Sequence, residues 1–124
     1  MQFLALIYND DSLLEALPTG EADTMMRNCF AHADELRASG RLLESQQLEA
    51  ASSARTVRIR SGRTTVVDGP FAETKEILGG FNLIEAANMA EAVEIASKFP
   101  WAQTGCVEVR AIRDIDAVRR AVGA

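Results

Sequence analysis

The first apolar run of the chain constrains the fold more than any other segment. From Phe3 to Tyr8 the residues are apolar at odd and at even positions alike. Because successive side chains of a strand point to opposite faces of a sheet, this run predicts a strand buried on both faces. Helices on one side of a small sheet would leave its other face in water. We therefore expect a second copy of the chain to cover that face.

The remaining elements are predicted from hydrophobic periodicity and from helix and turn signals. In order, the pattern predicts a strand over 3–8, a helical turn over 13–17, a helix over 21–39, a strand over 41–48, a hairpin over 56–67, a strand over 81–86, a helix over 89–99, a strand over 106–112 and a short helix after Asp114. Two strand–helix–strand units indicate an α+β fold, a ferredoxin-like βαββαβ core with an inserted β-hairpin. We expect one domain over 1–124, in which 114–124 form a C-terminal helical extension.

Single residues set the details of two of these elements. Asn88 is predicted to cap the second long helix, which carries an apolar stripe that includes Met89 and Val93. In the hairpin, the alternation of residues places Val57 and Ile59 inward.

Composition argues against several classes of protein. The 124 residues carry a formal net charge of −5, so no nucleic-acid-binding face is expected. No apolar run is long enough to span a membrane, and the N-terminus lacks the basic region of a secretory signal, so we expect a cytoplasmic protein. Cys29 and Cys106 lack the spacing of metal or redox motifs and are predicted to be buried, reduced thiols. One histidine and scattered acids have no ligand spacing, and no cofactor motif is present, so neither a metal nor a cofactor is predicted.

The stretch from Asp68 to Glu76 is predicted to form a corner. Gly69 can adopt a positive φ, and Pro70 restricts both its own backbone and that of the preceding residue. Pro70 can also begin a single helical turn, with Glu73 near its N-terminal end. The Gly79-Gly80 pair then opens a strand where another backbone approaches closely. As an alternative without chemistry, the stretch is only a hairpin exit followed by a β-bulge.

The same stretch, Asp-Gly-Pro-Phe-Ala-Glu-Thr-Lys-Glu followed by Leu-Gly-Gly-Phe, resembles the signature of the DGPF, or YCII-related, family. The resemblance extends to 6–8 near the start, to 32–40 in the first long helix and to 107–110 near the end. It implies a ferredoxin-like domain of the dimeric α/β-barrel type, and hence a homodimer. Most members of this family have no established activity, and bacterial members often occur beside extracytoplasmic-function sigma factors.

His32 and Asp68 are the candidate catalytic residues. His32 is the only histidine, and an unperturbed imidazole titrates near neutrality, so beside an aspartate it could act as a proton shuttle. The alternative is a hydrogen-bonded structural histidine at the margin of a helix. Asp68 leaves the hairpin on a rigid corner and could point its carboxylate into a cleft shared with His32. Its alternative is an Asx-turn, in which the side chain caps nearby backbone N–H groups.

Four other residues are candidates for substrate binding. The segment that begins at Phe71 would form the rim of the cleft. Lys75 could bind an anionic group, or Glu73 and Lys75 could belong to the solvated face of a helical turn. Tyr8, at the end of the first strand, could offer its hydroxyl to the same cleft, although an ordinary core tyrosine is the alternative.

The chain departs from the wider family at two positions. In YCII-like proteins an acid–base role has been proposed for a histidine–aspartate pair, but their histidine lies about one helical turn, or about 5 Å, before His32. Their chains also often carry an acid just before the proline that follows the second helix, where this chain has Phe99. The proposed pair therefore does not transfer whole to this chain.

Two functions from different classes remain open. The first is a cofactor-independent enzyme of the lyase or isomerase type, which transfers a proton on a small polar or aromatic molecule in a dimer cleft. The second is a non-catalytic ligand-binding or regulatory protein, linked to sigma-factor control. A second preorganised polar group that faces His32 would distinguish the enzyme from the binding protein.

Overall fold

A computed structural model describes all 124 residues. Its strands are β1 (Gln2–Asp10), β2 (Leu42–Gln47), β3 (Arg55–Arg60), β4 (Arg63–Asp68), β5 (Glu76–Glu85) and β6 (Gly105–Ala111). Its α-helices are α1 (Asp11–Glu15), α2 (Glu21–Ala38), α3 (Met89–Ser97) and α4 (Ile115–Val122), and short 3₁₀ turns cover Ala51–Ser53 and Pro100–Gln103. The strands and helices therefore follow the order predicted from the sequence.

Four strands form one antiparallel sheet in the order β2-β5-β1-β6. α2 connects β1 to β2, and α3 connects β5 to β6, which is the ferredoxin-like βαββαβ arrangement. β3 and β4 pair only with each other and form the inserted hairpin. The predicted fold class is confirmed.

The odd-numbered residues of β1 build the core between the sheet and the helices. Phe3 and Ile7 are buried and belong to one cluster with Leu36 of α2, Ile84 of β5 and Phe99 after α3. Complete burial of side chains of this size contributes about 1.5–3 kcal/mol each to folding. This cluster fixes the helices on one face of the sheet.

The even-numbered residues of β1 lie on the opposite face, which we call the open face. Leu4 pairs with Leu83 of β5, and Leu6 pairs with Phe81. All four side chains are only half-buried. One copy of the chain therefore buries one face of β1 completely and leaves apolar surface on the other.

Side-chain caps begin α3 and α4, and the cap at Asn88 was predicted from the sequence. Asn88 Oδ1 accepts a hydrogen bond from the backbone N–H of Glu91 at 2.9 Å, at the start of α3. Asp114 Oδ1 accepts one from Ala117 at 3.1 Å, at the start of α4. Such caps satisfy N–H groups that have no partner within the helix. None of the helices combines the length and the apolar character that crossing a bilayer requires.

The segment around the glycine pair differs from the prediction. β5 begins at Glu76 rather than near Phe81, because its first residues continue the ladder with β1 beyond a register shift at Ile7/Tyr8. Residues 71–75 form no helical turn. The close backbone approach expected at the glycine pair is present, since a Cβ on Gly80 would lie 2.7 Å from the carbonyl oxygen of Gln46.

The burial of several apolar side chains was predicted wrongly. Val57 and Ile59 are 61% and 62% exposed, because the hairpin forms its own small sheet and does not join the core. On α3, Met89 and Val93 are exposed, and the buried positions are Ala92, Ile95 and Ala96. Cys106 is exposed rather than buried, because it lies at the margin of the open face.

Candidate functional site

A cleft of about 1170 Å³ opens where the end of β1 meets the hairpin. Its floor comes from the ends of β1, β5 and β6, and its walls come from the loop after β2 and the loop after β4. We call it the hairpin cleft. Its lining residues are Tyr8, Asp10, Leu48, Glu49, Ala50, Ala51, Ser53, Ala54, Pro70, Phe71, Ala72, Thr74, Lys75, Glu76, Ile77, Leu78, Cys106 and Glu108.

The corner at Gly69 positions one wall of the hairpin cleft. Gly69 has a φ of +93°, a conformation that costs a residue with a Cβ about 1–2 kcal/mol. Its N–H donates to the carbonyl oxygen of Ala54 at 2.7 Å, and Thr56 Oγ1 donates to the carbonyl oxygen of Gly69 at 2.8 Å. These bonds join the two loops, so that Pro70 and Phe71 continue along the cleft.

Asp10 is the most enclosed charged group of the hairpin cleft. It ends β1 and caps α1, and only 5% of the residue is exposed. Its Oδ1 accepts hydrogen bonds from Ser12 Oγ at 2.6 Å and from the Ser12 backbone N–H at 3.0 Å. The bond from the Ser12 hydroxyl holds the pKa of Asp10 below its ordinary value, against the effect of burial. Asp10 is therefore a carboxylate at neutral pH.

Lys75 closes the cleft from the opposite side. Its Nζ lies 3.6 Å from Asp10 Oδ2 and favours the charged form of that carboxylate. The lysine side chain is largely exposed, and exposed ion pairs are worth at most about 1 kcal/mol. The anion that Lys75 contacts in this structure is the protein's own Asp10.

Tyr8 presents its hydroxyl on the floor of the cleft. The hydroxyl donates to Glu108 Oε1 of β6 at 3.4 Å. Burial and the negative charge of Glu108 raise the pKa of Tyr8 above its ordinary value. Tyr8 therefore stays protonated and serves as a hydrogen-bond donor rather than a base.

Cys106 lies beside Tyr8 in the pairing of β1 with β6. Its thiol donates to Glu76 Oε2 at 3.5 Å. Loss of hydration and the hydrogen bond to Glu76 raise the pKa of Cys106. Since the thiolate is the nucleophilic form, this cysteine is not activated for attack.

The electrostatic character of the hairpin cleft follows from its ionisable side chains. Lys75 is the one basic residue, and the four acidic residues that line the cleft are Asp10, Glu49, Glu76 and Glu108. The remaining walls are mostly apolar. Such a cleft attracts neutral or cationic molecules that carry O–H or N–H donors, and it repels anions.

The structure brings together three of the four predicted substrate-binding residues. Tyr8, Phe71 and Lys75 line the hairpin cleft. Glu73 lies on the same loop, but its side chain is exposed and does not line the cleft.

The structure places His32 elsewhere, between α2 and α3. Its Nε2 lies 3.1 Å from the carbonyl oxygen of Ile95, and this contact requires the proton on Nε2. Its ring meets that of Phe99 edge to face, with 4.6 Å between the centroids. His32 borders only a shallow depression of about 260 Å³. These contacts are those of a structural histidine that ties two helices together.

Asp68 belongs to the hairpin. Its Oδ1 pairs with Arg55 Nε at 3.0 Å across the strand ends, and its side chain is 85% exposed. It does not line the hairpin cleft. The structure therefore does not bring His32 and Asp68 together within one protomer, and the shared cleft predicted for them is replaced by two separate surroundings.

Sequence reasoning missed Asp10, Glu108 and Cys106 as members of the site. Asp10 had a local signal, an aspartate at a strand end with Ser12 two positions later, which is typical of a helix cap. Glu108 and Cys106 were recognised only as residues of a strand. Their meeting with Tyr8 depends on the register between β1 and β6. No three His, Cys, Asp or Glu side chains are grouped so as to hold a metal ion.

Comparison with known proteins identifies the family. The model of the YCII-related domain matches residues 1–116. The chain belongs to the YCII-related family. An uncharacterised YCII-related relative from Rhizobium meliloti (strain 1021) is 39% identical over 112 residues, which span 89% of this chain and 90% of the relative.

A solved structure of similar fold is the 5-chloro-2-hydroxyhydroquinone dehydrochlorinase of Burkholderia phenoliruptrix AC1100, in complex with 2,5-dihydroxybenzoquinone. It is 16% identical, with a TM-score of 0.47, and the match covers 91% of this YCII-related chain and 94% of the other. The family match, residues 1–116, includes every residue that lines the hairpin cleft.

Proposed function

We propose that this YCII-related protein binds a small, uncharged aromatic molecule with hydroxyl or amino donors in the hairpin cleft. The observation that carries the proposal is that Asp10 and the hydrogen-bonded pair of Tyr8 and Glu108 line one cleft whose remaining walls are mostly apolar. Ligand sites commonly have this composition, an apolar lining with a few convergent polar groups. The carboxylates accept hydrogen bonds from the ligand, and the apolar walls contact its ring.

Resorcinol, a neutral ring with two hydroxyls, is a suitable probe, and benzoate is its anionic counterpart. Because Tyr8 is the only tyrosine, its ring signals report on the cleft in NMR titrations. We expect saturable shifts with resorcinol and at least about fivefold weaker binding of benzoate, since the acidic lining repels an anion.

Substitution of Glu108 tests the same proposal in the protein. Glu108→Gln should weaken resorcinol binding, because it removes a charged acceptor from the cleft. Glu85→Gln is the matched control, since Glu85 lies outside the cleft and pairs with the N-terminal amine. The proposal fails if resorcinol causes no saturable shift, or if both variants bind it as the unmodified protein does.

Proton transfer in the hairpin cleft is the second candidate function. It is favoured by one observation, that a carboxylate, Asp10, and a protonated phenol, Tyr8, line the same cleft. A lyase or isomerase works best with a base whose pKa is near the working pH, and the low pKa of Asp10 makes it a weak base. Binding without turnover is therefore the function that this geometry supports better.

Deuterium exchange separates the two functions. The ring hydrogens of resorcinol exchange with D₂O by acid or base catalysis. A binding protein should leave this exchange at the solvent rate, whereas an enzyme that transfers protons should accelerate it. Acceleration that Asp10→Asn abolishes would replace the binding function by catalysis.

We propose that two copies of the chain pair through their open faces. Leu4, Leu6, Phe81 and Leu83 form an apolar centre on that face that one copy leaves half-exposed. A stable interface of this kind buries about 2,000 Å² or more. Light scattering should give twice the chain mass of 13.5 kDa. Leu6→Lys should shift the mass toward the monomer, and Leu13→Lys on the exposed surface of α1 should not; a monomeric unmodified protein rejects the proposal.

A link to sigma-factor control is supported only by the family resemblance. It is tested by whether the purified protein co-elutes with an extracytoplasmic-function sigma factor encoded beside its gene.

A further inference from the structure

A second cavity, of about 410 Å³, lies near the opposite face of the sheet, beside α2. We call it the helix-side cavity. Its walls include Asn9 of β1, Met26 of α2, Asn82 of β5 and Trp101 of the 3₁₀ turn. The glycine pair before Asn82 contributes no side chains to this wall, which leaves the space open. Leu48 is the only residue that lines both this cavity and the hairpin cleft, so the two sites are distinct.

Asn82 supplies an oriented polar group to the helix-side cavity. Only 5% of this residue is exposed. Its Oδ1 accepts a hydrogen bond from Ser45 Oγ at 2.7 Å. This bond fixes the orientation of the carboxamide and leaves the Nδ2 donor without a partner in the protein. A free donor of this kind favours a ligand with a carbonyl acceptor.

Asn9 supplies a complementary acceptor. Its Oδ1 is shielded from solvent and receives no hydrogen bond from the protein. An acceptor left in this state destabilises the folded protein, because its lost hydration is not replaced. The terminal torsion of asparagine is soft, so a modest rotation turns Oδ1 toward the cavity that Asn9 lines. A ligand O–H or N–H would then satisfy it.

The strand register sets the spacing of the two asparagines. Asn82 pairs with Ala5, and Asn9 lies four residues further along β1. At the rise of a β-strand this places their backbones about 13 Å apart. Side chains of a strand stand roughly perpendicular to the sheet, so only the two hydrogen bonds, of about 3 Å each, reduce this spacing. About 7 Å remains, roughly the span of one para-substituted aromatic ring with its two polar atoms. Trp101 and Met26 supply apolar contacts for such a ring.

The helix-side cavity also selects against charge. Cys29 lines it, and burial raises the pKa of this thiol, so the cysteine is neutral. Asp23 is its only carboxylate, and this residue is exposed. No basic residue lines the cavity, so an anion would find no counter-charge.

We infer that the helix-side cavity is a second ligand site, for an uncharged aromatic amide that carries a hydroxyl or amino donor at the end opposite its carbonyl. The carbonyl accepts from Asn82 Nδ2, the donor binds Asn9 Oδ1, and the ring lies against Trp101. This site does not depend on the function proposed for the hairpin cleft.

4-Hydroxybenzamide is the test probe, and 4-methoxybenzamide is its matched control, since methylation removes the donor. Trp101 is the only tryptophan, so its indole N–H gives one NMR signal that reports on this cavity. We expect 4-hydroxybenzamide to shift that signal saturably with a Kd of about 1 mM or below, and 4-methoxybenzamide to bind at least about tenfold more weakly.

Variants locate the binding. Asn9→Leu keeps the size of the side chain, removes the unpartnered oxygen and should weaken 4-hydroxybenzamide binding about tenfold. Asn28→Leu, on the exposed surface of α2, and Glu108→Gln, in the hairpin cleft, should leave the Trp101 titration unchanged. The inference is overturned if the Trp101 signal does not saturate, if the two probes bind equally, or if Asn9→Leu has no effect on a folded protein.

Discussion

Lys75 Nζ lies 3.6 Å from Asp10 Oδ2, and this contact joins the loop after the hairpin to the end of β1. The aspartate is buried and held by Ser12, whereas the lysine side chain is 79% exposed. The Asp10 carboxylate is therefore held in place, whereas water competes with it for the Lys75 ammonium group. The ion pair therefore contributes little to holding the loop that carries Phe71 against the floor of the hairpin cleft.

The stabilisation that Asp10 contributes should depend on pH. Its pKa is lowered in the folded protein, so its contribution is present above the unfolded pKa, about 3.9, and is lost as the pH falls through the folded value. In urea unfolding at pH 7 and pH 5, Asp10→Asn should be less stable than the unmodified protein, and the difference should shrink below about pH 4. Asp11→Asn is the control, because it removes a negative charge next to Asp10 and leaves the hydrogen bonds of Asp10 in place. A difference that stays constant down to pH 3 would contradict this prediction.

Titration of the single tyrosine tests the electrostatics of the cleft. Because burial and Glu108 raise the pKa of Tyr8, its phenolate absorbance should appear above the usual pH of about 10. Glu108→Gln should move the midpoint to lower pH, since it removes a negative charge beside the phenol. Glu85→Gln is the control and should leave the midpoint in place, because Glu85 pairs with Gln2 at the opposite end of β1 from Tyr8. Equal midpoints for the unmodified protein and Glu108→Gln would show that the two groups do not interact.

The structure makes His32 a stabilising residue. His32→Ala should reduce the free energy of unfolding by about 1–3 kcal/mol, because the Ile95 carbonyl keeps the Lys98 N–H but loses the His32 donor, and Phe99 loses an edge-to-face contact. Asn28→Ala on the same helix, where the side chain is exposed, should cost much less. Urea unfolding measures both.

Asp68→Asn tests whether His32 interacts with Asp68, as the sequence predicted, or only with Ile95 and Phe99. Because the Asp68 carboxylate contacts Arg55 and not His32, the variant should leave the NMR signals of the histidine ring at neutral pH unchanged. A clear displacement of those signals in the folded variant would restore the predicted pair.

Gly105 should tolerate no side chain. An added Cβ would lie 1.8 Å from the carbonyl oxygen of Tyr8, so β6 would have to move away from β1. Gly105→Ala should therefore destabilise the protein by about 2 kcal/mol or more. At Gly123 the φ is left-handed but no atom lies within 4 Å, so Gly123→Ala should cost only about 1 kcal/mol. Equal losses for the two variants would disprove the steric explanation.

Local patterns predicted the elements that depend on local physics. The two-sided apolar run became the central strand β1, and the caps at Asn88 and Asp114 are present. The hairpin was also predicted, but its side chains were misplaced. Alternation shows that Val57 has a preferred face, yet it does not show whether the protomer supplies a surface to cover that face.

Three of the four residues predicted to bind substrate line one cleft, and their role in binding stays a prediction. Tyr8, Phe71 and Lys75 belong to segments that the sequence marked as a strand end and a corner, and they meet in the hairpin cleft. His32 and Asp68 were paired because their residue types suit acid–base chemistry. Residue type carries no information on which helix face or strand end approaches which, so the pairing had no geometric support.

The sequence by itself determined the family, the order of strands and helices, and the position of the corner at Gly69-Pro70, because backbone freedom and hydrophobic period are properties of neighbouring residues. Only the tertiary structure decided that Asp10 meets Lys75, that Tyr8 meets Glu108, and that His32 packs on Phe99. These contacts join residues far apart in the chain. They depend on strand register and helix packing, where a shift of one residue turns a side chain to the other face of the sheet.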